Sequence, residues 1–287
     1  MATRQWASRL RHMHTSASSS ASRIPLAYEV HEPKKHQPAG HRPPIIFLHG
    51  FLGSKRENAR VSKHLSHDLS RQVYTLDLRN HGDSGHHWRH DYMEMALDVE
   101  LFIKKQGFES ATIIGHSMGA KTALTLALQA PDLVSDVVAV DNCPISLPLP
   151  GDFQKYMEGL VEVEQARVKT HAEGERILAK FEKSPVVRLF LLSNFIKDHR
   201  HQYLRSRLPL DILKAALGPL GDFPHETSPT KFLKPALFLR SRHSYYIPDS
   251  ALSQIISFFP RSKIVDITCG HWIVQEKPEE FRQGMKP

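Results

Sequence analysis

The chain holds only two cysteines, Cys143 and Cys269, among 287 residues. That excludes a disulfide-dense secreted scaffold and a zinc site built from four cysteines. No apolar run approaches the roughly 18 residues that a membrane-crossing helix needs. Acidic residues are missing from positions 1–28, which carry Arg4, Arg9, Arg11 and Arg23. Half of the net charge of +8 therefore sits in that short segment, and the other 259 residues hold +4. A charge so mild leaves no electrostatic footprint for a nucleic-acid partner. What remains is globular: apolar residues at 40% and charged residues at 24% build a core and exclude global disorder.

The first 22 residues read as an address. They are rich in Arg and Ser, free of acid, and lack the apolar stretch of a secretion signal. At 100° per residue, Trp6, Leu10 and Met13 fall within about 60° of one another, and Arg4 and Arg11 fall opposite. A plain disordered basic tail would not need opposed faces. Residues 1–22 are read as a mitochondrial transit peptide, which implies a matrix enzyme, and 23–287 as the folded unit.

Short apolar strands alternate with helical stripes through the first half. Strand character occupies 44–48, 72–78, 111–114 and 136–140. Helices are expected at 55–69, 91–105 and 118–129; in the second of these Tyr92, Ala96, Val99 and Ile103 form one stripe flanked by Met95 and Phe102. Such alternation predicts an α/β fold with a mostly parallel sheet. The pattern breaks at about 146–231, a charged, helical segment without a convincing buried strand. Strands return at 236–240 and 263–267, and a last helix at 278–285. Insertions leave a parallel sheet from its carboxyl edge, where ligands bind, so 146–231 is read as a helical lid.

Gly115-His116-Ser117-Met118-Gly119 is a G-x-S-x-G between a strand and a helix, the context of a nucleophile on a strained turn. Ser117 is the expected nucleophile. The Met118 N–H, at the helix N-terminus, points where an oxyanion would form. A second donor is expected from His49-Gly50-Phe51-Leu52-Gly53, with Phe51 favoured and Leu52 the second choice. Serine needs a base, and the base an orienting acid. His271 follows the last strand and has no rival downstream. For the acid, Asp141 ends strand 136–140. Asp249 lies ten residues past Leu239, with Ser241 to Ser244 filling the nearer slot, so Asp141 is preferred. The histidines at 81, 86, 87 and 90 lack a ligand spacing and carboxylate partners, so neither a metal nor a cofactor is expected.

HGFLGSK (49–55), DLRNHGDSG (77–85), GHSMGAKTA (115–123), VDNCP (140–144), FLLSN (190–194) and GHW (270–272) carry a family resemblance. The chain resembles the alpha/beta-hydrolase superfamily over about 44–287. Within it, the sequence is similar to the mitochondrial branch of alpha/beta-hydrolase domain-containing protein 11, the yeast ethanol acetyltransferases and small bacterial esterases. In that branch the acid follows the strand after the elbow helix, a place that Asp141 holds, 24 residues beyond Ser117. The branch also has a serine in the loop where other hydrolases keep their acid, and Ser244 matches it as an auxiliary residue. A departure is Arg240-Ser241-Arg242, where the branch tends to carry glycines. The resemblance implies ester and thioester hydrolysis and acyl transfer to small alcohols.

The leading expectation is a serine hydrolase of carboxylic esters or thioesters that forms an acyl-Ser117 intermediate. An alcohol acyltransferase using the same site is the alternative. A binding or chaperone-like protein on a hydrolase scaffold is the reading from another class; a lost triad residue would favour it. Halide and epoxide hydrolases use a carboxylate at the elbow, and this chain has Ser117. The expected partners are a small acyl substrate and a small alcohol acceptor, and Cys143 and Cys269 are expected to stay free thiols on loops that meet at the site.

Overall fold

The computed structural model describes residues 23–33, 42–197 and 202–285. The expected transit peptide lies outside them. The strands are β1 (Tyr28–His31), β2 (Ile45–Leu48), β3 (Val73–Leu76), β4 (Ala111–His116), β5 (Val134–Val140), β6 (Phe195–Lys197), β7 (Leu204–Ser206), β8 (Ala236–Ser241) and β9 (Ser262–Ile267). The helices are α1 (Lys55–Leu69), α2 (Tyr92–Lys105), α3 (Met118–Gln129), α4 (Gly151–Gln165), α5 (His171–Leu178), α6 (Pro185–Leu192), α7 (Leu210–Ala215), α8 (Leu252–Phe258), α9 (Ile273–Glu276) and α10 (Pro278–Gly284).

Seven strands form one sheet in the order β1-β3-β2-β4-β5-β8-β9. Only β1 runs antiparallel. Alternate residues of a strand face opposite sides. Ile46 and Leu48 accordingly join the core under α2, α3 and α8, whereas Ile45 and Phe47 pack with α1 and α10 on the other face. With both faces covered, every residue of β2, β3 and β4 is buried, which is why these strands read as unbroken apolar runs.

Chain direction across the sheet reverses at β2, since β3 lies on one side of it and β4 on the other. Ligands bind at the carboxyl edge of such a switch point. Register aligns the strand ends there: Leu48 opposes Gly115, His116 opposes Val140, and Val140 opposes Leu239 on the side where the register continues one residue earlier. The residues that follow are His49-Gly50, Ser117 and Asp141.

Between β5 and β8 the chain inserts α4 to α7 and the hairpin β6-β7. That short strand pair is an addition to the helical segment read from the sequence, in which no convincing buried strand is expected. Its strands have three residues each and bury only Phe195 and Leu204, too little for a periodic signal. Also unread from sequence were β1, a half-exposed edge strand, and α8.

Candidate active site

Ser117 sits between β4 and α3 at φ 54°, ψ −114°, a conformation that side chains rarely adopt. The two glycines explain how the turn closes. A Cβ at Gly115 would lie 2.0 Å from the Gly119 carbonyl oxygen, and one at Gly119 would lie 2.5 Å from the Leu48 carbonyl oxygen. The Ser117 N–H donates to the Val140 carbonyl at 2.9 Å, tying the turn to the end of β5.

His271 follows β9 and meets the serine. Its Nε2 is 2.9 Å from Ser117 Oγ, and its Nδ1 is 2.7 Å from Asp141 Oδ2. Asp141 is fully buried, and its Oδ1 accepts the Ser241 N–H at 3.1 Å. Asp249 is elsewhere. Its carboxylate is 85% exposed and pairs with Arg240 Nη2 at 2.6 Å. The structure thus brings Ser117, Asp141 and His271 together and leaves Asp249 on the surface.

Phe51 and Met118 present N–H groups that meet no acceptor among the described residues. Leu52 differs: its N–H is spent on His81 Nε2 at 3.2 Å. Leu52 adopts φ 62°, and Gly53 closes the loop by donating to the Gly50 carbonyl at 3.1 Å. His49 orders the same loop. Its Nε2 accepts the Leu78 N–H at 3.0 Å, and its Nδ1 lies 2.8 Å from the Gly50 carbonyl. Asn194, from the insertion, donates to the Leu52 carbonyl at 2.9 Å.

Ser244 makes no hydrogen bond with any of the three. Its Oγ accepts the Tyr246 N–H at 3.3 Å, and the Tyr246 ring stacks on His271 with centroids 4.2 Å apart. Sequence reasoning missed Tyr246, which looks like any core aromatic until the fold sets it against the imidazole. It also missed His116, whose Nε2 lies 2.9 Å from the His271 carbonyl. Burial, reinforced by His271, lowers the His116 pKa to about 4, so it is a neutral donor to that carbonyl. Lys121 in α3 is buried, with Nζ 3.0 Å and 3.1 Å from the carbonyls of Gly221 and Asp222 where the insertion returns. Burial lowers its pKa to about 8. His81 and His90 pack as buried rings behind the Phe51 loop, at 5.4 Å from each other.

A cavity of about 200 Å³ opens over Ser117 and His271. Phe51, Phe153, Val187, Phe190 and Trp272 give it an apolar wall. In the apolar run of the insertion, Phe190 lines the cavity, whereas Leu191, Leu192 and Phe195 are buried core residues. Cys143 and Cys269 are free and buried beside the site. Cys143 Sγ donates to the Tyr246 carbonyl at 3.2 Å, and burial pushes its thiol up to about 12.

Residues 43–278 match the alpha/beta hydrolase fold family. The chain belongs to the alpha/beta-hydrolase family. It is 38% identical over 260 residues to the "Probable alcohol acetyltransferase" of Saccharomyces cerevisiae, covering 85% of this chain and 76% of that protein. It is 33% identical over 268 residues to the sn-1-specific diacylglycerol lipase ABHD11 of Mus musculus, covering 91% and 84%. A solved marine microorganism esterase superposes with a TM-score of 0.82 at 30% identity, covering 91% of this chain and 97% of that one. These relatives place the alpha/beta-hydrolase chain in the branch of alpha/beta-hydrolase domain-containing protein 11 and the yeast acetyltransferases, and make it an enzyme of the hydrolase and acyltransferase class.

Proposed function

We propose that this enzyme hydrolyses carboxylic esters and thioesters of short acyl groups through an acyl-Ser117 intermediate. The observation that carries the reading is the continuous line from Ser117 Oγ through both nitrogens of His271 to the buried Asp141 carboxylate. Ser117 Oγ attacks the carbonyl carbon while His271 Nε2 takes its proton. Asp141 holds the imidazole's orientation and stabilises its positive charge. The oxyanion accepts hydrogen bonds from the N–H groups of Phe51 and Met118, a pairing favoured because Leu52 has already spent its own. When the C–O or C–S bond breaks, the proton on His271 goes to the leaving alkoxide or thiolate. Water then repeats the sequence on the acyl-serine. No step calls for a metal or cofactor. The cavity is smaller than the roughly 300–1,000 Å³ of pockets for drug-sized ligands, which favours short acyl groups.

The same acyl-enzyme can pass its acyl group to a small alcohol. The aromatic wall favours this second reading, because a dry cavity lowers the competition from water. One experiment tests both. Product analysis with a single acyl donor over rising ethanol should show acid falling as ethyl ester rises. No ester at any ethanol concentration would leave a strict hydrolase. Ser117→Ala should abolish both products and labelling by a fluorophosphonate; turnover near wild type would end the serine mechanism and favour a non-catalytic scaffold. The acid-free, Arg-rich leader further supports a mitochondrial location. Residues 1–22 fused to a reporter should carry it into mitochondria, and a cytosolic reporter would refute that.

A further inference from the structure

The cavity holds a polar group that the acyl-transfer chemistry leaves unused. Glu57 enters from the first turn of α1, just past the 49–53 loop, and lines the cavity together with Ser117 and His271. Its Oε1 is buried and has no hydrogen-bond partner among the described residues. The carboxyl lies over Gly53, where a Cβ would come within 2.4 Å of Oε2 and 2.8 Å of Oε1. The missing side chain at Gly53 therefore makes room for it. Lys55, on the same turn, does not neutralise it, because Nζ is bound to Asp77 and Asp83 at 2.5 Å each. Burial, reinforced by the charge of Asp77, pushes the Glu57 pKa up to about 8. At neutral pH the group is a carboxylic acid, with one O–H to donate and a carbonyl oxygen to accept.

We infer that Glu57 is a specificity residue that hydrogen-bonds a hydroxyl carried by the substrate close to its reacting carbonyl. The inference rests on the esterase reading above and names the substrate class of that site. A hydroxyl both donates and accepts, so it satisfies the two oxygens of a neutral carboxyl at once. An alkyl group in its place would leave Oε1 unpaired, and a site built for a hydroxyl discriminates against the analogue that lacks it. The hydroxyl can sit on the acyl chain or on the alcohol portion, and the chemistry of recognition is the same.

Two matched pairs separate these sources: ethyl 3-hydroxybutyrate against ethyl butyrate, and glycerol monobutyrate against propyl butyrate. The wild type should prefer the hydroxylated member of one pair by about tenfold in kcat/KM. Glu57→Gln, which keeps a donor and an acceptor, should retain that ratio within about threefold. Glu57→Leu should bring it close to one, and Glu57→Ala repeats the apolar test should leucine disturb the packing. A preference absent from both pairs, or one that persists in both apolar variants, overturns the inference. A glutamine variant that loses the ratio as fully as leucine does would show that an ionised carboxylate is needed, and would overturn it too. Failure of the wild type to cleave all four esters or to label at Ser117 would instead strike the esterase reading on which it stands.

Discussion

Replacing Asp141 with asparagine isolates one charge. The residue sits at φ 50°, a left-handed conformation that asparagine tolerates, so the backbone has no reason to move. The substitution also keeps the shape and the burial. What changes is the pattern of donors and acceptors. Asp141 now accepts on both sides, from His271 Nδ1 at 2.7 Å and from the Ser241 N–H at 3.1 Å. An asparagine that turns its oxygen to His271 sets its NH₂ against the Ser241 N–H. Turned the other way, the NH₂ faces Nδ1 and forces the proton onto Nε2, where it blocks acceptance from Ser117. Either way the imidazolium loses its counter-charge. The expected cost is about 10⁴-fold in kcat, or about 5.4 kcal/mol at 1.36 kcal/mol per decade. Asp249→Asn removes only an exposed ion pair, worth about 0–1 kcal/mol, and should stay within about threefold of wild type. Initial rates on p-nitrophenyl acetate, with melting curves to verify folding, provide the comparison. A folded Asp141→Asn enzyme with a tenth or more of wild-type activity, or an inactive Asp249→Asn, would refute the assignment.

Two further outcomes concern stability. Gly115→Ala forces a Cβ to 2.0 Å from a carbonyl oxygen, and should cost roughly 4 kcal/mol or more, whereas Gly218→Ala meets nothing within 4 Å and should be nearly neutral. Thermal melts of the pair check this, and equal melting temperatures would contradict it. Acid should destabilise the fold, because burial lowers the pKa of His49, His81, His90 and His116, the last two to about 3 and about 4. Below about pH 6.5 the unfolded chain takes up protons that the native one refuses, so stability falls by up to about 1.36 kcal/mol per pH unit for each group. Glu57, raised to about 8, works in the opposite sense by a single proton between about pH 4.5 and 8. Calorimetry at fixed ionic strength should show the melting temperature dropping from pH 7 to 5, and a flat profile would reject the neutral histidines.

Much of this site was legible because its residues sit where strands end. Strand ends announce themselves by the stop of an apolar run, and Ser117, Asp141 and His271 each follow one. Helix α1 was readable to its boundaries, and α3 as well, since both are uninterrupted runs of helix-compatible residues. The 49–53 loop, proposed to hold the oxyanion, was half legible. Sequence alone put Phe51 and Leu52 in the same short loop, and only the His81 contact from 29 residues away separates them. Tyr246, His116 and Glu57 stayed hidden for a similar reason. Their roles come from tertiary neighbours, and a lone aromatic, histidine or glutamate carries no periodic signal. The hairpin β6-β7 escaped because three-residue strands have too few positions to alternate.

The insertion is held at two points that adjoin the proposed reaction centre rather than the outer scaffold. Asn194 grips the backbone of the Phe51-Leu52 loop, and Lys121, on the helix that begins after Ser117, grips Gly221 and Asp222. For engineering, those bonds mark the contacts that a foreign insertion has to keep. A graft that replaces the part of the insertion that lines the cavity, from Pro150 to Phe190, while keeping the amide at 194 and the two inward carbonyls at 221 and 222, would import a new chamber over an undisturbed Ser117 and His271. A graft that drops those contacts would strand a buried lysine and loosen the loop proposed to hold the oxyanion, and its failure would say nothing about the chamber it brought.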